Sequence, residues 1–241
     1  MDSTRQPFQL DDYPRVVFFT GAGVSAESGV PTYRGKGGIW AEYDPEKVAS
    51  QAAFDRDPDF VLDFHEKRRA LVAACAPNAA HRHIAAWQRR HPGISVITQN
   101  TDGLHESAGS KPIIELHGSL WRTRCARHGI FTDRSEGPYR QRQCPECGAR
   151  LRPDITWFGD MVDVNAFEAA GRRVEAADVF VAIGTSGVVW PAAGFIELAA
   201  RSGARMIEIN PEASEASVAF GTRLRQPAAE AVPALFPLPV D

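Results

Sequence analysis

Short runs of apolar residues recur along the chain, and each run is followed at once by glycine or polar residues. The runs occupy positions 16–19, 94–98, 113–116, 179–183 and 206–209. A run of four or five apolar residues between turn signals predicts a strand that is buried on both faces. Apolar residues at helical spacing predict helices at positions 45–74, 78–88 and 191–200. Strands that alternate with helices predict an α/β fold whose parallel sheet is built by crossover connections.

Polar residues stand at the ends of these predicted strands. In an open parallel sheet the carboxyl ends of the strands meet at one edge, and ligands bind there. The residues that follow the strands are Gln99, Asn100, Asp102, His117, Gly184, Thr185, Ser186 and Asn210. The sequence therefore predicts a ligand crevice lined by these side chains and turns.

A glycine turn follows the first run and carries the pattern of a dinucleotide-binding loop. Gly21, Gly23 and Ala26 fit G-x-G-x-x-G/A, in which missing side chains allow a tight turn and close approach of a phosphate. We expect a helix to start there, with free N–H groups directed at a pyrophosphate. A glycine turn without a ligand fits the same residues, so the match alone leaves both alternatives open. Tyr33 and Arg34 follow in a glycine-containing loop that is suited to closing over a bound cofactor.

Segment 121–154 interrupts the alternation with basic, glycine and cysteine residues and has little periodic apolar content. Such a segment has too few apolar residues to bury a core unaided. Cys125 and His128, and then Cys144 and Cys147, form two pairs with two residues between the members of each pair. This spacing is typical of a tetrahedral zinc site, whose binding energy supplies the missing stability. The alternative is that only Cys144 and Cys147 act, as a thiol pair, with His128 at the surface.

Composition and charge narrow the possible functions. The chain has 241 residues, and its 44% hydrophobic content suffices for one large domain or one domain with a small insertion. The formal net charge of −3 gives no basis for a stable nucleic-acid or anionic-membrane partner. The first fifteen residues have no apolar core, and no apolar run approaches ~18 residues. We therefore expect a soluble, cytoplasmic protein, and the spacing of its cysteines fits a reducing compartment.

Seven motifs, taken in order, resemble the sirtuins, the NAD-dependent protein lysine deacylases, over nearly the whole chain. They read GAGVSAESGVPTYRG, TQNTDGLHESAG, ELHGSL, the split cysteine segment, WFGD, GTSGVVWPAAGF and EINP. The G-x-G-G-x-W pattern at positions 35–40 further resembles the class that includes bacterial and mitochondrial desuccinylase-like members. The resemblance implies a Rossmann-like large domain at 1–35, 81–120 and 155–241. It also implies a small domain that combines a helical module at 36–80 with a zinc ribbon at 121–154.

The resemblance implies a role for the residues at the strand ends. Those implied to contact NAD, which the reaction consumes, are Gly21, Ala22, Gly23, Ser25, Tyr33, Arg34, Gln99, Gly184, Thr185, Ser186 and Asn210. Sirtuins usually have phenylalanine where this sequence has Tyr33. The implied catalytic residues are His117, Asn100 and Asp102, with His117 as the general base that takes a proton from a ribose hydroxyl. The implied products are nicotinamide, the free lysine and O-acyl-ADP-ribose.

Substrate recognition is implied at two places. Trp157, Phe158 and Gly159 match the family's edge segment, which pairs with the substrate backbone as an added strand. His65 and Arg68 stand where desuccinylase-like members have tyrosine and arginine, and their spacing puts both on one helix face. The arginine fork suits a distal carboxylate. With histidine in place of tyrosine, we expect a weaker preference for negatively charged acyl groups. The alternative is that HEKRR forms a solvated helical face.

His128 is a second departure, because sirtuins usually have a fourth cysteine at that position. Imidazole is an ordinary zinc ligand, so the resemblance still implies a structural Zn²⁺ held by three cysteines and one histidine. The expected partners are acyl-lysine protein substrates, without stable nucleic acid or membrane. The sequence leaves the oligomeric state open, and a monomer is compatible with it.

Two other activities would use the same pocket. Mono-ADP-ribosyltransfer to a protein and simple hydrolysis of NAD both release nicotinamide but yield no O-acyl-ADP-ribose. A third alternative is a non-catalytic sensor of NAD or ADP-ribose that docks a partner through its zinc ribbon. The presence of His117, Asn100 and Asp102 argues against the sensor.

Overall fold

The computed structural model describes residues 8–34 and 37–239. Within these ranges the strands, numbered along the chain, are β1 (Val16–Thr20), β2 (Ile94–Thr98), β3 (Ile113–Glu115), β4 (Gly118–Cys125), β5 (Gly129–Thr132), β6 (Arg152–Ile155), β7 (Val179–Ile183), β8 (Arg205–Ile209) and β9 (Thr222–Leu224). Six of them form a parallel sheet in the order β3-β2-β1-β7-β8-β9. The other three form an antiparallel sheet with β4 between β5 and β6. The predicted α/β class with a parallel sheet is therefore confirmed.

The α-helices of the described ranges connect and cover these sheets. They are α1 (Ile39–Glu42), α2 (Pro45–Val48), α3 (Gln51–Arg56), α4 (Pro58–Ala73), α5 (Ala79–Arg90), α6 (Leu104–Ser107), α7 (Val164–Glu175), α8 (Gly194–Arg201) and α9 (Ala228–Leu235). Side chains that accept backbone N–H bonds begin several of them, for example Asp57 before α4 and Asn78 before α5. Such caps satisfy backbone donors that have no partner inside the helix.

The central strands are buried on both faces because helices cover the parallel sheet from both sides. Every residue of β1, β2 and β7 is buried. On one face, α5 and α9 pack around Trp87 and Phe236. On the other face, α7 and α8 pack around Phe180 and Phe195. This arrangement explains why these strands read as continuous apolar runs and not as alternating patterns.

A third core joins the short helices to the antiparallel sheet. Val61 and Leu62 of α4 pack with Leu120 of β4 and with Trp157. The strongest polar link is Arg69 of α4, whose buried guanidinium donates hydrogen bonds to the carbonyl oxygens of Leu120, Asp133, Ser135 and Gly137, to the Asp133 carboxylate and to the Ser135 hydroxyl. The cysteine segment is thereby fixed against the helix that carries His65.

The predicted runs match the central strands to within one residue at each end. The predicted helix at 191–200 starts later, at Gly194. A helix starts after the first glycines as expected, but it is a 3₁₀ helix over Ala22–Ser28 that ends at Gly29 with φ of 91°. The pattern did not predict α7, α9 or the three antiparallel strands. The sequence of β4 does not show the apolar alternation of a half-buried strand, because it contains Arg122 and Arg124. Both arginines form ion pairs with acidic residues.

No helix in the described part of the chain combines the length and the apolar content needed to cross a membrane.

Candidate active site

A cavity of about 610 Å³ opens at the carboxyl ends of the parallel strands. Its floor is formed by the residues after β1, β2, β7 and β8, as the sheet topology requires. The sequence-predicted residues that line it are Gly21, Ala22, Gly23, Tyr33, Arg34, His65, Arg68, Gln99, Asn100, His117, Trp157, Phe158, Gly159, Gly184, Thr185, Ser186 and Asn210. Ser25 and Asp102 are not among the lining residues. The structure thus brings together most of the predicted set and leaves two members behind the wall.

The glycine cradle packs against the loop that follows β7. A Cβ atom at Gly23 would lie 2.6 Å from Cα of Gly184, and one at Gly21 would lie 2.8 Å from the Gly184 carbonyl oxygen. Contacts this short leave no space for any side chain. The N–H groups of Gly21 and Gly23 donate to the carbonyl oxygens of Ile183 and Gly184. The expectation that these two N–H groups are free for a phosphate is therefore wrong, because they join the two loops.

Three polar residues are connected across the cavity floor. Gln99 Nε2 donates to Thr185 Oγ1 at 3.0 Å. Asn210 Nδ2 donates to the Thr185 carbonyl oxygen at 3.1 Å. Thr185 Oγ1 also accepts from the Gly187 N–H. The ends of β2, β7 and β8 are thereby held in one fixed arrangement before any ligand binds.

His117 follows β3 and lies half-buried in the cavity wall. Its Nδ1 lies 3.0 Å from the Gln99 carbonyl oxygen. Because a carbonyl oxygen can only accept, Nδ1 carries a hydrogen and Nε2 keeps its lone pair in the neutral ring. Burial lowers the pKa of His117, and the Gln99 carbonyl opposes this in part. The geometry supplies a neutral imidazole whose free nitrogen is able to accept a proton near neutral pH.

Ser25, Asn100 and Asp102 form a buried network behind the cavity wall. Ser25 Oγ donates to Asp102 Oδ2 at 2.8 Å and accepts from Asn100 Nδ2 at 3.1 Å. Asp102 Oδ1 accepts from the Leu104 N–H. Burial raises the pKa of Asp102, and its hydrogen bonds oppose this rise. Asp102 therefore acts on the cavity through Ser25 and Asn100, and it does not face the cavity itself.

Two histidines extend this network, and the sequence did not indicate them as site residues. His81 Nε2 lies 3.3 Å from Ser25 Oγ, and His105 Nε2 lies 3.0 Å from Thr20 Oγ1. Their rings are in contact, with centroids 4.8 Å apart. Burial lowers the pKa of His81 to about 4 and that of His105 to about 3. The only feature of the sequence that marks His81 is its position three residues after the Asn78 cap. That position predicts the start of a helix and gives no indication of a functional site.

His65 lines the far end of the cavity and is 1% exposed. Its ring stacks on Trp157 at a centroid distance of 5.7 Å, and Trp157 Nε1 donates to His65 Nε2 at 3.2 Å. Burial and the charges of Arg68 and Arg152 lower the pKa of His65 to about 3, against the effect of the Val48 carbonyl. His65 is therefore neutral at physiological pH, with its hydrogen on Nδ1, which has no well-formed hydrogen bond in the described structure.

Arg68 lies half-buried between the cavity and a smaller neighbouring cavity. Its guanidinium stacks over the Tyr33 ring at 4.7 Å, and the Tyr33 ring lies 5.2 Å from that of Trp40. Within HEKRR, His65, Glu66 and Arg69 are buried. The alternative of a fully solvated helical face is therefore wrong. Of the G-x-G-G-x-W pattern, residues 35 and 36 lie outside the described residues.

The segment from Trp157 to Gly159 borders the cavity but is already partly paired. The Phe158 N–H donates to the Ala49 carbonyl oxygen, and Ser50 and Phe158 form a parallel bridge. The Trp157 N–H donates to Asp160 Oδ2. Two of the segment's three backbone N–H groups, those of Trp157 and Phe158, are thus engaged within the protein.

The four predicted metal ligands converge at one end of β4. The ligand atoms of Cys125, His128, Cys144 and Cys147 all lie within 4.8 Å of one another. The Cys125 and Cys147 sulfurs are 3.7 Å apart, and His128 Nδ1 is 3.3 Å from the Cys144 sulfur. Ligands at Zn–S distances of about 2.3 Å in a tetrahedron stand about 3.8 Å apart. The donor set and its spacing therefore fit a structural Zn²⁺ ion, which would hold the two turns of the segment together.

The glycine loop, the polar strand ends and the histidine of the parallel Rossmann-like sheet meet at one cavity, and a metal-ligand cluster lies in the antiparallel segment. These features define a dinucleotide-binding α/β protein with a metal ribbon. The family model described as the Sir2 family matches residues 21–191. This is well over half of the chain, and the chain belongs to the Sir2 family.

Similar proteins agree with this membership over nearly their full lengths. The NAD-dependent protein deacylase of Mycolicibacterium paratuberculosis is 45% identical over 229 residues, which are 92% of this chain and 96% of that protein. The structure of a Sir2 homologue in complex with NAD superposes with a TM-score of 0.87 at 41% identity, over 93% of this chain and 88% of that one. A Sir2 complex with a p53 peptide and NAD⁺ superposes with a TM-score of 0.79 at 28% identity, over 92% of each chain.

Proposed function

We propose that the protein is an NAD-dependent protein lysine deacylase that transfers the acyl group to ADP-ribose and releases nicotinamide. One observation carries the proposal: a single cavity is lined by the glycine cradle, by His117 and by His65 and Arg68. NAD bound at the cradle and an acyl-lysine inserted from the other end would meet beside His117. Membership of the Sir2 family, with relatives named NAD-dependent protein deacylase, supports this chemistry.

We assign NAD contacts to the cavity floor. Gly21, Ala22 and Gly23 give NAD a surface with no side chain larger than a methyl group, and Thr185 is held by Gln99 and Asn210. The remaining contacts in this proposal come from Gly184, Ser186, Tyr33 and Arg34, with Ser25 acting from behind the wall. Preorganised polar groups of this kind lower the cost of ordering the site as positive charge develops on the ribose and neutral nicotinamide departs.

His117 is the general base in this proposal. Its Nδ1 donates to the Gln99 carbonyl, so the unprotonated Nε2 is available to take a proton from a ribose hydroxyl. Asn100 orients groups at the reacting end, and Asp102 positions Asn100 through Ser25. In this proposal the acyl oxygen first bonds to C1′ of the nicotinamide ribose as the C1′–N bond to nicotinamide breaks. The deprotonated ribose hydroxyl then attacks the acyl carbon. Water adds at the same carbon as its bond to the lysine nitrogen breaks, which releases the amine and leaves O-acyl-ADP-ribose.

A panel of acyl peptides tests the function. Acetyl-, lactyl- and succinyl-lysine peptides are incubated with NAD, and all products are measured by mass spectrometry. We expect nicotinamide, free lysine peptide and O-acyl-ADP-ribose in equal amounts, and loss of acyl transfer in His117→Ala. Nicotinamide release without O-acyl-ADP-ribose would instead support NAD hydrolysis. ADP-ribose attached to protein would support mono-ADP-ribosyltransfer.

His65 and Arg68 define the acyl preference in this proposal. Arg68 supplies one half-buried positive charge, while His65 is neutral and engaged with Trp157. The distal carboxylate of a succinyl group would thus meet one charged partner, Arg68. The second partner, His65, offers at most a neutral hydrogen-bond donor. We expect His65→Tyr to raise the succinyl-to-acetyl ratio of kcat/KM by about tenfold, the scale of one hydrogen bond to a charged group. Unchanged ratios would contradict the role of His65.

We assign the structural metal to the Cys₃His cluster as Zn²⁺. Elemental analysis of the purified protein is expected to give one zinc per chain. His128→Cys, which restores the usual family ligand, is expected to retain it, whereas His128→Ala is expected to lose most of it. A metal content near zero in the folded parent protein would refute the assignment.

The division into domains and the cellular location also remain proposals. We retain a large domain at 1–35, 81–120 and 155–241 and a small domain at 36–80 and 121–154, supported by the antiparallel sheet, which is separate from the parallel one. Hydrogen exchange that protects the two sets of residues to different degrees would support this division. The location proposed is the cytoplasm, which fractionation of the source cells tests directly.

A further inference from the structure

Three large apolar side chains stand exposed at the mouth of the cavity, and we name them the rim patch: Phe158, Met161 and Trp190. Their exposed fractions are 45%, 85% and 67%. Phe158 and Trp190 both line the cavity, and Met161 lies between the lining residues Asp160 and Val162. Two different loops, one after β6 and one after β7, therefore present large apolar groups at the same opening.

The aromatic members of the rim patch are held in place despite their exposure. A Cβ atom at Gly194 would lie only 3.1 Å from Cζ3 of the Trp190 indole, so the ring packs directly on the backbone at the start of α8. The Phe158 ring lies 5.9 Å from that of Trp40 in an edge-to-face arrangement. Each ring thus has one supported side and one side open to the cavity mouth. A fixed, exposed aromatic ring loses little conformational entropy when it binds a partner.

The charges around the rim patch favour an apolar occupant. The neighbouring carboxylate, Asp160, is paired with Arg152 and Arg124, so it offers little attraction to a cationic side chain. The adjacent lining residues Val162, Val188 and Val189 are apolar. Glu212 and Glu215 line the cavity too, in the loop that follows Asn210. Exposed apolar groups gathered beside a cavity are typical of a binding surface.

We propose that the rim patch binds an apolar side chain next to the acyl-lysine of the substrate, and that Trp190 sets this sequence preference. The inference rests on the proposed deacylase function, because it takes the rim as the place where the substrate chain enters. Its occupant is an aliphatic or aromatic side chain of the substrate protein. Backbone pairing alone discriminates little between sequences, so a supported indole at the entrance would add selectivity that the edge segment lacks.

The test compares acetyl-lysine peptides that differ at one position. Leucine, glycine, arginine or glutamate is placed immediately before or immediately after the acetyl-lysine, and KM and kcat are measured at saturating NAD. For one of the two positions we expect the KM of the leucine peptide to lie about five- to tenfold below that of the glycine peptide. In Trp190→Ala the two KM values should become equal, with the effect on KM and not on kcat. Trp190→Phe should keep most of the preference.

The matched control is Phe60→Ala, which removes an aromatic side chain that is 52% exposed on α4 and does not line the cavity. This variant is expected to keep the leucine preference. A leucine preference that survives in Trp190→Ala, or a parent enzyme that favours arginine or shows no preference, would overturn the proposal. Binding of fluorescently labelled peptides to His117→Ala gives the same comparison without turnover. If the parent enzyme deacylates no peptide, the proposed function fails, while these binding affinities still decide the role of Trp190.

Discussion

At the scale of single residues, burial decides which form of each titratable side chain the site contains. His117 is held by one carbonyl oxygen, and desolvation disfavours its charged form. His65 has no acidic partner and lies near two arginines, so its protonation is disfavoured more strongly. The cavity therefore offers two neutral imidazoles with different partners, one facing the proposed reaction centre and one at the acyl end.

The lowered pKa of His117 predicts the pH dependence of acyl transfer. A general base works in its deprotonated form, so the rate is constant above the pKa and falls as the pH drops through it. Because the pKa is lowered, the acid limb of kcat/KM is expected below about pH 6.5, the ordinary histidine value. The check is to measure kcat/KM with an acetyl peptide from pH 5.5 to 8.5. Tryptophan fluorescence at each pH verifies that the protein stays folded. An acid limb at or above pH 6.5 would contradict the geometry.

At the scale of elements, the contact between two loops fixes the cofactor cradle. Gly23 and Gly184 are so close that no Cβ fits between their backbones. The glycines of the fingerprint are therefore required by packing within the protein, independently of a phosphate. Arg69 has the corresponding role between α4 and the cysteine segment.

Gly23→Ala tests the loop contact. The added methyl would press on backbone atoms of Gly184, which cannot rotate away, so we expect a loss of stability of about 1–3 kcal/mol and weaker NAD binding. The matched control is Gly221→Ala, where an added Cβ has no heavy atom within 4 Å. Urea unfolding and calorimetric titration with NAD measure the two effects. Equal stability and equal NAD affinity of the two variants would show that the glycine loop shifts to make room for the added methyl group.

Arg69→Ala tests the link between α4 and the cysteine segment. Its removal leaves the Asp133 carboxylate and several carbonyl oxygens without their buried donor, so we expect a loss of about 3–5 kcal/mol. The control Arg56→Ala removes an exposed arginine from α3 and is expected to change stability by less than about 0.5 kcal/mol. Both are measured by urea unfolding. A small effect at Arg69 would mean that the segment is positioned by its metal site and apolar contacts instead.

At the scale of the whole molecule, three buried neutral histidines make the fold sensitive to acid. His65, His81 and His105 have pKa values of about 3, 4 and 3 in the folded protein. In the unfolded chain each titrates near 6.5. Between these values the unfolded chain binds protons that the folded protein does not bind, so stability falls as the pH drops below about 6.5.

We expect a stability loss of about 2 to 4 kcal/mol per pH unit near pH 5, at about 1.4 kcal/mol for each histidine. The range allows for the raised pKa of Asp102, which acts in the opposite direction. Urea unfolding at pH 7, 6 and 5 measures the slope. His105→Gln should reduce the slope by about 1.4 kcal/mol per pH unit relative to the control His91→Gln, a half-buried position. Identical slopes would exclude His105 as a contributor.

The sequence by itself determined five of the six parallel strands, the polar residues at their ends and the spacing of the four metal ligands; it did not predict β9. These features are local, because a doubly covered strand must be apolar throughout and a ligand pair needs a fixed separation. The family resemblance supplied the roles of His117 and of the NAD contacts. The local pattern did not predict β4, in which the half-buried Arg122 and Arg124 form ion pairs with Asp154 and Asp160.

Only the tertiary structure decided which predicted residues reach the cavity. Asp102 and Ser25 follow strand ends like their neighbours, yet they face inward and form a network with His81. The tautomer of His65 depends on the hydrogen bond from Trp157, which is 92 residues away in the chain. Such contacts are set by packing between distant segments, and no local pattern of residues encodes them.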